Sequence, residues 1–390
     1  MSWPLVNLSA VCQIDMGSAP KGSTYVELDK GVPLIAGAAD YGDVFPRPKK
    51  ATLEPTKLCE EGDIIICVRA TIGDLNWADK EYCLGRGVAG LRVHYKKLDS
   101  KYLWYFIASI EDELYRNSTG STFPQINKKI IEGLQIPLPP LETQKQIAAV
   151  LEKADQLRKD CQQMEQELNS LAQSVFIEMF GDPVTNPKEW EIGIISDLLS
   201  SANYGTSEKS STEILKYPVL RMNNLTYEGN WDFTSLKYMD MDEKDEEKYL
   251  VQNGDILFNR TNSKELVGKT AVYRENKLMA YAGYLVRARC NELGHPDYIS
   301  SFMNSKYGKQ TLQSMCKSIV GMANINAKEF QSINIAKPPI KLQLDFSIRI
   351  AKIRALIQEA KLQEAQYESA FNALMQKAFN GELNLDNANT

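Results

Sequence analysis

Histidine is almost missing from this chain of 390 residues: His94 and His295 are the only two, and neither has a neighbour at ligand spacing. A histidine-built metal centre is therefore not expected, and a Ser-His or Cys-His nucleophile pair has little to be made from. The seven cysteines, at 12, 59, 67, 83, 161, 290 and 316, form no CxxC pair. An odd and scattered set reads as buried thiols in a reducing cytoplasm, not as a disulfide frame or a zinc site. No apolar run approaches the roughly 18–20 residues that a membrane helix needs. Met1-Ser2-Trp3-Pro4-Leu5-Val6 also lacks the basic-then-apolar layout of a secretory leader. The expectation is a cytoplasmic protein with no membrane partner.

An excess of basic charge is missing too. The net charge is −5, with 16 basic against 17 acidic residues over 1–137 and 18 against 19 over 183–336. Residues 138–182 hold 4 basic and 8 acidic side chains. An autonomous nonspecific DNA binder is usually basic, because phosphate neutralisation supplies most of that affinity. If this chain binds DNA, its basic groups are gathered on one face or a partner supplies much of the phosphate contact.

Catalytic signatures are absent in the same way. There is no GxxxxGK[ST] loop, and Gly85-Arg86-Gly87 is a lone GxG without the rest of a dinucleotide fingerprint. Pro139-Pro140 and Pro338-Pro339 follow Leu and Lys, so they are not the Asn/Asp-Pro-Pro-aromatic run of an adenine methyltransferase. They read as strand-to-helix punctuation. Glu246-Glu247-Lys248 matches a nuclease-like Glu-x-Lys, but it sits in the charge run from Asp240 to Lys248, read as a solvated loop.

What the chain does hold is a long internal repeat. Gln125-Ile126-Asn127-Lys128-Lys129 returns 199 residues later as Asn324-Ile325-Asn326-Ala327-Lys328. At the same offset Ile136-Pro137-Leu138-Pro139-Pro140-Leu141 becomes Ile335-Ala336-Lys337-Pro338-Pro339-Ile340, and Phe180 becomes Phe379. Gly62-Asp63-Ile64-Ile65 and Gly254-Asp255-Ile256-Leu257 repeat at 192, and Trp3 and Trp190 at 187. The offset drifts in the globular parts and locks in the helical parts. A length held constant between two variable domains behaves as a ruler.

Each copy reads as an α+β domain followed by a long helix. Residues 62–68 and 87–93 have the β-branched content of buried strands, and 102–107 suit a short amphipathic helix. The second copy offers strands at 254–258 and 280–287 and a further segment at 296–303, in the same order. After Pro139-Pro140, Thr143 with Gln146 suggests a capping box. Ile147, Val150, Ala154, Leu157, Cys161, Met164, Leu168, Leu171 and Val175 then recur at 3-4 spacing, a coiled-coil seam over residues 143–179, about 55 Å at helical rise. The second seam runs Phe346, Arg349, Ile353, Leu356, Ala360, Gln363, Tyr367, Ala370 and Leu374, with Ile350, Ile357, Phe371 and Phe379 widening its stripe. Two helices of matched length in one chain pack most economically on each other. Antiparallel packing then gives an internal pseudo-two-fold with the domains at opposite ends. The expected boundaries are 1–137, 138–182, 183–336 and 337–382, with a tail at 383–390. Such a stripe is a packing seam first, and its functional content is a fixed separation.

Two polar loops are candidate reading surfaces, one after each Gly-Asp-Ile strand. In the first copy these are Arg69-Ala70-Thr71, with Tyr41, Arg47, Lys49 and Lys50 upstream and Ser118 to Gln125 downstream, including Thr122. In the second they are Asn259-Arg260-Thr261-Asn262-Ser263-Lys264, with Arg221-Met222-Asn223-Asn224 upstream and Gly321 to Asn324 downstream. Arginine forks and amides suit purine edges and phosphates, although any one of these residues is equally at home as ordinary turn chemistry. Three classes stay open on the residues alone: a noncatalytic DNA-specificity scaffold, a divergent nuclease or methyltransferase fused to a dimerisation coil, and a pure protein-interaction scaffold.

The combination resembles the specificity subunit of type I restriction–modification systems, nearly end to end. It is carried by Ile136 to Gln144 leading into the first helix, Phe180-Gly181-Asp182-Pro183 at its exit, Arg69-Ala70-Thr71-Ile72-Gly73, and Gly254 to Asn262. The resemblance implies two target-recognition domains that each read half of a bipartite site in double-stranded DNA. The helices would then be spacers that dock two methyltransferase subunits. S-adenosylmethionine would be bound by those partners and not by this chain, and motor-nuclease subunits would join for restriction. One departure is Ile335-Ala336-Lys337 where the first copy has Ile136-Pro137-Leu138.

Overall fold

A computed structural model describes residues 3–120, 124–319 and 322–385. They fall into two compact units, one of 1–161 with 363–390 and one of 162–362. Each unit therefore contains one α+β domain and half of each long helix.

In the first unit a four-stranded antiparallel sheet runs in the order Cys12–Met16, Val88–Val93, Ile64–Cys67, Leu75–Trp77. Beside it a five-stranded sheet is ordered Tyr25–Val26, Lys50–Thr52, Val32–Ile35, Tyr82–Leu84, Leu58–Cys59. The second unit repeats the first sheet as Leu199–Tyr204, Leu285–Cys290, Ile256–Asn259, Thr270–Val272. Its second sheet has four strands, Lys237–Met239, Tyr217–Leu220, Met279–Tyr281 and Leu250–Val251. The apolar run 280–287, expected as one strand, is two strands in two sheets. A turn closed by Leu285 N–H to Ala282 O lets the chain step between them. The charge run near Glu246 is likewise a helix, Glu243–Tyr249, whose Glu246 accepts from Lys216 at 2.9 Å, and not a solvated loop.

The Gly-Asp-Ile repeat is a folding element. Gly62 and Gly254 turn with φ of 86° and 93°, in the left-handed region where glycine pays no Cβ penalty. The following carboxylates are buried and paired, Asp63 with Arg92 at 2.8 Å and Asp255 with Arg289 at 2.8 Å.

The long helices, Leu141–Phe180 and Ile340–Phe379, are 40 residues each. The first starts directly after Pro140, two residues ahead of the expected cap, so Thr143 lies inside its first turn. Gln144, wholly buried, does the anchoring instead: its amide donates to Lys97 O and Pro139 O and accepts from Asp99 N–H, each at 2.9 Å. Gln343 repeats this with Leu293 O at 3.0 Å, Pro338 O at 2.8 Å and His295 N–H at 2.8 Å. Tyr102 and Tyr298 close both joints by donating to Pro137 O and Ala336 O.

Within each unit the helices pack antiparallel. In the first, Ile147 and Leu151 share a core with Phe371, Leu374 and Met375, and Arg158 meets Glu368 at 3.1 Å. In the second, Phe176 and Phe180 meet Phe346 edge-on, and Glu165 meets Lys361 at 3.0 Å. The buried stripe is not the strict 3-4 seam. Ile147, Cys161, Phe346, Ile353 and Ala360 are buried, and Val150, Leu168, Val175, Tyr367 and Leu374 are half-buried. Leu157, Met164, Leu171 and Leu356 are 39–49% exposed. Each helix half packs on its own domain as well as on its partner, so the buried face also takes in Leu151, Phe176, Ile350 and Ile357, off the 3-4 seam, as a 3.6-residue period allows.

Candidate nucleic-acid interface

The two loops that follow the Gly-Asp-Ile strands are each closed by a segment far downstream. In the first unit Arg69 bridges Gln125, Ile126 N–H bonds Val68 O, and Val68 N–H bonds Gly87 O. In the second, Thr261 pairs with Asn324, Ile325 N–H bonds Arg260 O, and Arg260 N–H bonds Tyr284 O. Upstream, Gly85 N–H bonds Ile35 O, and Ala282 N–H bonds Leu220 O. The same backbone network therefore gathers residues 36–39, 69–71, 86–87 and 125 in one unit. It gathers 221–224, 260–264, 283–284 and 324 in the other. Segments separate in sequence become one surface per domain.

In the first unit that surface is a cleft of about 450 Å³, lined by Arg69, Ala70, Thr71, Arg86, Gly87 and Ala36–Ala39. Arg69, Thr71, Gln125 and Lys49 are exposed. Lys49 stands just before the strand Lys50–Thr52 and is not among the residues that line the cleft. Tyr41 does not belong to the surface. Its hydroxyl donates to Ile65 O at 3.1 Å inside the core, and burial pushes the phenol well above its ordinary range. Thr122 lies outside the described residues.

The second unit carries a more internally bonded version. Arg260 stacks on Tyr204 at 4.8 Å and reaches Asn324 Oδ1 at 3.4 Å, while Asn324 donates to Thr261 Oγ1 at 2.8 Å. Arg221 donates to Ser235 O at 2.8 Å. Asn224, 2% exposed, accepts from Arg221 N–H and donates to Asp232 O and Ser235 O. It staples a loop and is not available to a ligand. Asn223 and Lys264 are exposed, and Asn262 and Ser263 half-exposed. Arg86 was missed in the sequence, where its flanking glycines read as a failed nucleotide motif. The glycine is there for room: a Cβ on Gly87 would stand 2.1 Å from Ala36 O.

His295 is a helix cap, accepting Asp297 N–H at Nδ1 (3.2 Å). Burial lowers its pKa, against the pull of Asp297. Among the described residues no three His, Cys, Asp or Glu side chains cluster as metal ligands, and no helix is long and apolar enough to cross a membrane.

Two copies of one α+β domain, each gathering its loops through the same backbone hydrogen bonds and each joined to matched helices, define a paired recognition module. The family model for the type I restriction modification DNA specificity domain matches residues 2–170 and again 187–366. The chain belongs to this family, the noncatalytic specificity subunits of type I restriction–modification systems. It is 38% identical to the putative MjaX specificity subunit of Methanocaldococcus jannaschii, over 42% of this chain and 40% of that one. It is 24% identical to the EcoKI specificity subunit of Escherichia coli K12, over 98% of this chain and 89% of that one. Its fold matches the S subunit from M. genitalium with a TM-score of 0.60 at 14% identity, covering 97% and 96% of the two chains. A chain from a study of complex assembly and conformational transition of the type I R-M system matches with a TM-score of 0.59 at 18% identity, covering 98% of each.

Proposed function

We propose that this chain reads a bipartite target in double-stranded DNA, one half-site per domain, with recognition domains 1–137 and 183–336. The observation that carries the reading is the backbone hydrogen-bond network that gathers the loops after each Gly-Asp-Ile strand in the same way in both copies. Two domains related by an internal repeat suit two half-sites in opposite orientation. The equal long helices set the gap between half-sites and dock two methyltransferase subunits. Apolar side chains left exposed on the second helix, Leu344, Ile348 and Leu362, are candidates for that docking face. S-adenosylmethionine is bound by the partners, which flip an adenine and methylate N6. Motor-nuclease subunits join the same scaffold for restriction. Near-neutral recognition domains agree with partners that share the phosphate contacts.

The test is a genome-wide map of N6-methyladenine in the source cell with and without this chain. Loss of one split motif, methylated on both strands, is the expected result. An unchanged map, with the partner methyltransferase shown to be expressed, would overturn the reading.

A further inference from the structure

The first unit contains six arginines, at 47, 69, 86, 92, 116 and 158. Four are engaged: Arg47 with Asp43, Arg92 with Asp63 and Glu60, Arg116 with Asp112 O, and Arg158 with Asp155 and Glu368. Among the described residues, the two whose guanidinium groups have no protein partner are Arg69 and Arg86, and both line the same cleft. Between them the wall is small, with Gly87, Ala70 and Ala36–Ala39, so the edge of a large planar ligand can approach the backbone. Ala70 holds a left-handed φ of 62°, a costly backbone for alanine, with its N–H on Pro124 O and its carbonyl taking the Tyr115 hydroxyl. Those bonds hold the loop that presents Arg69.

We infer that Arg69 and Arg86 are the specificity-determining residues of the first unit and that they read guanine. This rests on the proposed DNA-reading function and deepens it. A guanidinium fork matches the O6 and N7 acceptors that guanine presents in the major groove. In the second unit the loop arginines are engaged within the protein, Arg260 with Tyr204 and Asn324 and Arg221 with Ser235 O, so the pair of unengaged arginines is particular to the first unit. The two half-sites therefore differ, and guanine readout by a free arginine pair belongs to the half read by the first unit.

The experiment uses the full chain assembled with its methyltransferase partner, mapping N6-methyladenine on genomic DNA for wild type, Arg69→Ala, Arg86→Ala, Arg69→Lys and Arg86→Lys. Both arginines are exposed, so the variants are expected to unfold at the wild-type temperature. The expected result is relaxation at guanine positions of one half-site only, with discrimination falling roughly 5- to 150-fold per lost fork. The lysine variants relax too, since an ammonium keeps the charge but not the fork. The gap and the other half-site stay unchanged. If lysine restores the motif and alanine only slows methylation evenly across sites with a shallower salt dependence, the arginines bind phosphate and the inference falls. A wild-type motif without guanine in either half also overturns it, while leaving a split motif and the proposed function in place. Absence of any split motif sinks the proposed function itself.

Discussion

Among single residues, the buried glutamines Gln144 and Gln343 are the clearest case of chemistry shared by both copies. Each satisfies one backbone N–H and two carbonyls in the joint between domain and helix. Stranding a buried polar group costs about 1–3 kcal/mol, so Gln343→Ala is expected to destabilise the second unit by roughly 2–4 kcal/mol. Denaturant unfolding measures this, and a loss under ~0.5 kcal/mol would show that water replaces the amide. Gln343→Glu keeps the acceptor but loses both donations, so it does not restore wild-type stability. Tyr41 and Asn224 teach the opposite lesson. Both are residue types suited to contacting bases, yet each spends its polar atoms inside the protein. Residue type names a capacity; only the surroundings show whether it is already used.

For the helices, apolar periodicity in the sequence identified the elements and their matched length, but not every buried position. Ile353 is 7% exposed and Leu356 49%, although both sit on the 3-4 stripe. Truncating a buried isoleucine costs about 2–5 kcal/mol, whereas a surface leucine costs under ~0.5 kcal/mol. Chemical unfolding of Ile353→Ala and Leu356→Ala should separate them by that margin, and equal losses would mean that the strict seam is the packed face after all. The stripe misled because each helix half has two packing partners, its own domain and the other helix. A heptad pattern encodes contact with one helix and is silent about the second surface. The run 280–287 misled similarly, since nothing local distinguishes one buried strand from two strands that change sheet.

For the whole molecule, the lock at 199 residues and the two 40-residue helices belong to one constraint. Adding one heptad to both helices preserves the pairing of facing positions and lengthens the spacer by about 10 Å. On the proposed function the gap of the methylated motif then grows by about three base pairs, at ~3.4 Å per base pair. Methylation mapping of the lengthened chain reads this directly. A gap that does not change would mean that the helices are not the ruler.

The repeat, the α+β class, the long helices and the family resemblance were all present in the sequence, because they rest on spacing and on local punctuation such as Gly-Asp-Ile and Pro-Pro. The candidate surfaces were legible only in pieces: the loops after each strand could be named, but not that Gln125 would close on Arg69 or Asn324 on Thr261. Nor could Arg86 be told from a stray arginine between glycines. Those facts depend on strand pairing across 56 and 63 residues and on which guanidinium finds a partner. Both are decided by long-range hydrogen bonding and burial, which exist only once the chain has folded.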